Sequence, residues 1–186
     1  MTKTPGRVVL TCMAVVLAVC ASAYDEAALL GLARAAVVAE VAGQSPPKSE
    51  SKSPVKPVFV TIENKGCIIG CRGSLETRTR SLEQEVILTA RAAASHDPRY
   101  RPLSLKDARE CQVTVTIVER LDPLADISRL APADGLVLRS GRRTGVVLPW
   151  EGKKPRVRLQ WAYKKAGVKP GAACHLYTLK AQRFRG

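Results

Sequence analysis

Aromatic residues are scarce in this sequence, 4% of 186 residues, and there are only two histidines, His96 and His175. So few rings leave little basis for the stacking platforms that hold single-stranded nucleic acid. No Cys-x-x-Cys pair occurs, and Cys67-x-x-x-Cys71 lacks a matching second pair, so no metal site is expected. Also missing are a phosphate-binding glycine loop, paired catalytic carboxylates and a serine-nucleophile motif. Internal repeats and coiled-coil heptads are absent too. Nothing in the sequence indicates a cofactor, whose identity stays unknown at this stage.

What is present is basic and aliphatic. Thirty Lys and Arg against sixteen Asp and Glu give a formal charge of +14 and a pI near 9.9. With 46% hydrophobic residues, the chain suits one domain whose core is built mainly from Val, Leu, Ile and Ala. The cations gather at Arg78 and Arg80, Arg142 and Arg143, Lys153 to Arg158, and Lys164-Lys165. On one surface they would attract an anionic partner such as nucleic acid, anionic lipid or an acidic glycan. Spread out, they would form a solvated surface that keeps the protein soluble.

Residues 1–23 have the layout of an export signal. Lys3 and Arg7 precede an apolar run from Val8 to Val19, and Ala21-Ser22-Ala23 supplies the small side chains a signal peptidase requires. The run is short for a membrane span. An exported chain beginning at Tyr24 is therefore expected, in the periplasm or outside the cell, where cytoplasmic nucleic acid is not a natural partner. A lipoprotein anchored at Cys20 is the alternative, although Val19 replaces the usual small residue before the acylated cysteine. Four cysteines then remain, Cys67, Cys71, Cys111 and Cys174, enough for two bridges with three connectivities. Cys111 and Cys174 begin strand-like segments and read as buried free thiols.

Periodicity orders the mature chain, residues 24–186. After Asp25, residues Ala28, Leu29, Leu32, Ala36 and Val37 share a helical face that Gly43 ends. Residues 44–57, rich in Ser, Pro and Lys, read as a flexible excursion. Val58 to Ile62 is a strand, turned back by Glu63 to Gly66. Ser81-Leu82-Glu83-Gln84 fits a capping box opening a helix with Leu82, Val86, Ala90 and Ala93 on one face. Val113, Val115 and Ile117 alternate with polar residues as in a half-buried strand. Leu136 to Leu138 and Val146 to Leu148 flank a hairpin with a basic tip. Leu159 to Ala166 reads as a short helix stopped by Gly167, and Cys174 to Phe184 as a last strand. Helices dispersed among antiparallel strands give an α+β fold.

Several segments together resemble one family. Val58-Phe59-Val60-Thr61, Gly70-Cys71-Arg72-Gly73-Ser74-Leu75, and Ala92-Ala93-Ala94-Ser95-His96-Asp97-Pro98-Arg99-Tyr100 are similar to signature regions of the AMMECR domain family, also called AmmeMemoRadiSam system protein A. Gly135 to Leu138, Gly145 to Pro149 and Lys165-Ala166-Gly167 continue the pattern in order, over roughly residues 27–186. The resemblance implies an α+β fold with a largely antiparallel central sheet flanked by helices and a smaller mixed subdomain. It implies no established activity. Genomic association in the family points to Memo-type and radical SAM proteins as partners, and so to a modification or redox system. The usual Leu-Arg-Gly-Cys-Ile-Gly run is here Ile68-Ile69-Gly70-Cys71-Arg72-Gly73, with Ile69 at the arginine position and Arg72 after the cysteine.

The site candidates follow from this region. Gly70 and Gly73 let the backbone turn tightly or approach a ligand, with Cys71 held between them. An arginine beside a cysteine favours the thiolate that a nucleophile needs, which makes Cys71 the catalytic candidate and Arg72 its neighbouring charge. His96 is a second catalytic candidate if the fold brings it to Cys71. Gly70, Arg72, Gly73, Asp97 and Arg99 are the ligand-binding candidates, although Asp97 also suits capping or bending the turn before Pro98, and Arg99 either binds an anion or braces that turn. Trp150 and Trp161 read as packing residues. Two functions remain: a thiol-dependent component acting through Cys71, or an exported non-enzymatic module binding an anionic partner.

Overall fold

The computed structural model describes residues 24–50, 53–152 and 154–186. The export segment, including Cys20, lies outside the described residues.

Helix α1, Glu26–Val41, starts where the Asp25 carboxylate accepts the Ala28 N–H at 3.0 Å. It stops in a Schellman turn: Gly43, at φ +67°, donates to the Glu40 carbonyl, and Gln44 donates to that of Ala39. Its buried face is Leu29, Ala33, Ala36 and Val37, with Leu32 half-buried. Ala28 belongs to the helix's exposed first turn instead of that face. Residues 44–50 and 53–57 form no regular element, but Leu82 N–H donates to the Ser53 carbonyl and Lys56 pairs with Glu119 at 2.8 Å.

Strands β1 (Val58–Asn64) and β2 (Cys67–Gly73) form the first hairpin. The register slips between Ile62↔Gly70 and Glu63↔Ile68, so Ile69 is the extra residue of a β-bulge. Helix α2, Leu82–Ser95, follows a loop organised by buried Glu85, whose carboxylate accepts the N–H groups of Arg78 and Thr79. Its expected capping box is half made. Ser81 Oγ accepts the Gln84 N–H at 3.3 Å, whereas the Gln84 side chain turns to the Arg80 N–H. Helix α3, Leu105–Glu110, is a six-residue element absent from the periodicity reading, opened by a full capping box between Ser104 and Asp107.

The remaining elements are β3 (Gln112–Pro123), β4 (Gly135–Ser140), β5 (Arg143–Val147), α4 (Pro155–Ala166) and β6 (His175–Arg185). Six strands form one sheet in the order β2-β1-β3-β6-β4-β5, antiparallel at every pairing. The fold is α+β, as the sequence implied. The larger core joins α1 and α2 to the Val58, Val60, Ile62 face of β1 and the Val113, Val115, Ile117 face of β3. A smaller core packs α4 through Ala162, Tyr163 and Ala166 onto Leu136, Leu138 and Val147. The smaller unit is thus an extension of the same sheet with its own helix.

Each lobe uses a strand glycine to bring a helix close. A Cβ on Gly70 would lie 2.3 Å from the Ala93 carbonyl oxygen of α2, and one on Gly145 would lie 2.0 Å from that of Ala162 in α4. Only a hydrogen fits between strand and helix backbone at either place. No helix among the described residues is long and apolar enough to cross a membrane.

Candidate functional site

Strands β2 and β5 are the two edges of the sheet, and the sheet brings both to one groove of about 740 Å³. Cys71, Arg72 and Gly73 of β2 form one wall, with Pro98 and Arg99 beside them. Val146 and Leu148 from the β5 end, with Trp161, Lys164 and Lys165 of α4, form the other. Phe59 and Glu151 complete the lining. Cys71 pairs with Thr61 and Arg72 with Val60, so their side chains leave opposite faces of β2, and both residues border the groove.

Cys71 is a free, half-buried thiol. It stands opposite Thr61 of β1, with Sγ 3.3 Å from Thr61 Oγ1. Its backbone is held from the other side: its N–H donates to Asp97 Oδ2 at 2.9 Å, and its carbonyl accepts from Arg99 Nη2 at 2.7 Å. Asp97 is buried and also accepts from Arg99 Nε at 2.9 Å and from the Arg99 N–H at 3.1 Å. Burial pushes the Asp97 carboxyl up, but the bonds from the Arg99 side chain and the Cys71 and Arg99 amides outweigh it and hold it below the usual carboxylate range. The bond to Asp97 raises the Arg99 guanidinium in turn. Arg99 therefore braces the Asp97 turn and the edge of β2, and its charge is matched inside the protein.

Gly70 and Gly73 are set by packing. Gly70 lies on α2 as described, and a Cβ on Gly73 would lie 2.1 Å from the Phe59 ring. Ile69 packs against the larger core and borders a small hollow with Tyr100 and Leu103. The arginine expected by family pattern at that position is absent, and this chain carries its positive charge at Arg72, on the groove.

His96 does not join Cys71. It ends α2 with an exposed side chain, its Nδ1 4.0 Å from Glu40 Oε1 of α1. Among the described residues the side chain bonded to the Cys71 thiol is that of Thr61, and Asp97 is committed to the backbone and to Arg99. Among the described residues no group of three or more His, Cys, Asp or Glu side chains gathers to hold a metal.

The cations expected to share one surface divide. Arg158 is buried and donates to the carbonyls of Ala131, Pro132, Asp134, Pro149 and Gly152, so it is an internal brace. Arg78 turns to Glu85 and Thr89, and Arg143 to the Gly167 carbonyl. In the groove, Lys165 pairs with Glu151 and Arg99 with Asp97. Arg72 and Lys164 are exposed and have no ion pair among the described residues. Trp161, expected to be packing, is 40% exposed on the groove wall. Cys111 is buried, but Cys174 is only half-buried, 3.5 Å from the Tyr163 hydroxyl.

A protein of Thermofilum pendens is 30% identical to this chain, covering 88% of it and 90% of the relative. One of Aeropyrum pernix is 32% identical over 68% of this chain and 60% of its own length, and one of Thermotoga maritima 36% over 49% and 53%. The chain thus spans little more than half of these last two. The crystal structure of an uncharacterised protein from Pyrococcus horikoshii superimposes with a TM-score of 0.71 at 25% identity, covering 84% of this chain and 89% of that one. The AMMECR1 family model matches residues 30–186, nearly the whole described fold, and the chain belongs to the AMMECR1 family.

Proposed function

We propose that the groove between β2 and α4 binds a small anionic ligand, making the protein a binding module. The observation that carries this reading is the pair of unmatched cations on opposite walls. Lys165 is matched by Glu151 and Arg99 by Asp97, which leaves Arg72 and Lys164 to face the same space. An anion between them recovers the attraction that the protein itself leaves unused, and partial exclusion of water strengthens it.

Alkylation of Cys71 by iodoacetamide in the intact protein tests this, because the thiol lies in the groove while exposed Cys67 serves as an internal reference. Inorganic phosphate or acetate, added at constant ionic strength, should slow alkylation of Cys71 and leave Cys67 unaffected. Arg72→Ala and Lys164→Ala should each weaken that protection. Equal effects on both thiols, or no protection at all, would reject the reading.

A thiol-dependent reaction is the second reading, supported by the free Cys71 thiol on the groove wall. Among the described residues the group at Sγ is the Thr61 hydroxyl, a poor base at neutral pH, so this reading draws its acid or base from the ligand or a partner. Cys71→Ser separates the two. Retained phosphate binding by nuclear magnetic resonance supports a binding module, whereas its loss in a folded variant makes the thiol essential.

A further inference from the structure

Resting on the anion-binding reading, we infer that the groove selects organic anions that carry a flat apolar body, and that Trp161 is the residue that reads that body. Trp161 and Lys164 are three residues apart on α4, so the indole and the ammonium occupy one helix face a turn apart. Both line the groove. A ligand ring resting on the indole therefore places an attached carboxylate or similar anion beside Lys164, with Arg72 facing it from β2.

The indole is held in place. Gly152 lies against its six-membered ring, where a Cβ would come within 2.8 Å of Cζ3, and Gly152 takes φ +76°. The glycine both permits the turn and makes room for the ring. Cation–π contacts occupy Trp150, Tyr100 and Tyr177, through Arg183, Arg99 and Arg139, and none is found on Trp161 among the described residues. Val146, Leu148 and Phe59 continue the apolar lining.

Size points the same way. A groove of about 740 Å³ lies in the range of sites for organic ligands and is far larger than a bare oxyanion needs. A simple anion would leave the Trp161 wall in water, and a neutral ring would leave Arg72 and Lys164 unmatched. One molecule with both parts satisfies both walls.

Calorimetric titration of the intact protein with naphthoate, acetate and neutral naphthol tests the inference. Naphthoate should bind roughly tenfold or more tightly than acetate, the step that one good aromatic contact supplies. Trp161→Ala should remove the preference of naphthoate over acetate, and Trp161→Phe should keep most of it. Lys164→Ala should weaken both anions. Thermal unfolding of each variant confirms that the fold persists. If naphthoate binds no better than acetate, or its advantage survives in Trp161→Ala, the inference is overturned and the anion reading stands. If neither anion binds, or naphthol binds as well as naphthoate, the anion reading itself is overturned.

Discussion

Asp97 and Arg99 together stand in for a missing strand at the edge of β2, one accepting the Cys71 N–H and the other donating to the Cys71 carbonyl. An open strand edge is a site for unwanted pairing, and these side chains satisfy the groups another strand would otherwise claim. Asp97 is buried, while the Arg99 side chain is more than half exposed. Asp97→Ala should therefore cost about 2–3 kcal/mol by stranding the Cys71 amide and losing a charge-assisted pair. Arg99→Ala should cost about 1 kcal/mol, since water can replace an exposed partner. Urea unfolding of both variants measures the order, and a larger loss for Arg99→Ala would refute this account.

The same pair sets an acid limb. Because the folded-state pKa of Asp97 is lowered, its contribution to stability is fully present above the ordinary carboxylate pKa of about 4. It is lost as pH falls through the lowered value. Asp97→Asn should flatten this part of the profile, so the difference in stability between parent and variant should shrink as pH drops below about 4. Denaturant unfolding across that range tests the sign. A difference that grows on acidification would contradict it.

The long elements were legible because their burial follows from local spacing. Val113, Val115 and Ile117 alternate on β3, and Val86, Ala90 and Ala93 recur at helical spacing on α2. Helix α3 was not, since six residues are too few to show a period, and its Ser104-x-x-Asp107 cap was the one local sign. Helix α4 begins at Pro155, ahead of the Leu159 start read from its apolar residues. Cys71, Asp97 and Arg99 were singled out in the sequence, yet their clasp joins residues 26 and 28 positions apart. Lys164 was visible only as charge and Trp161 only as bulk. The groove that unites them with Arg72 exists once β2 and β5 border the same space, and no local pattern encodes that.

The glycines of the first lobe should respond to alanine in opposite directions. At Gly70 the new methyl meets the Ala93 carbonyl oxygen, part of a helix that cannot move aside cheaply, so Gly70→Ala should cost about 1–3 kcal/mol. Gly31 lies on the exposed face of α1, where a Cβ meets nothing within 4 Å. Gly31→Ala should stabilise by about 0.5–1 kcal/mol, because alanine loses less backbone entropy in a helix. Thermal unfolding of the two variants distinguishes them, and a stabilised Gly70→Ala would disprove the close contact.

Arg158 links the smaller core to the groove. Its buried guanidinium donates to five carbonyls, and the side chain of nearby Asp134 is paired with Lys180 instead. Planar, forked donors let arginine serve several acceptors that a lysine ammonium cannot reach together. Arg158→Lys should therefore cost about 1–3 kcal/mol as the buried Asp134 carbonyl and its part-buried neighbours lose their partners. Among those acceptors are Pro149 and Gly152, and the same loop carries Glu151, which holds Lys165. Loosening it should release the ring that Gly152 positions. Trp161 emission should then shift to the red below the unfolding transition, with Trp150→Phe as the background that isolates it. An Arg158→Lys variant with parental stability and unshifted emission would show that the carbonyl network neither braces the lobe nor shapes the groove.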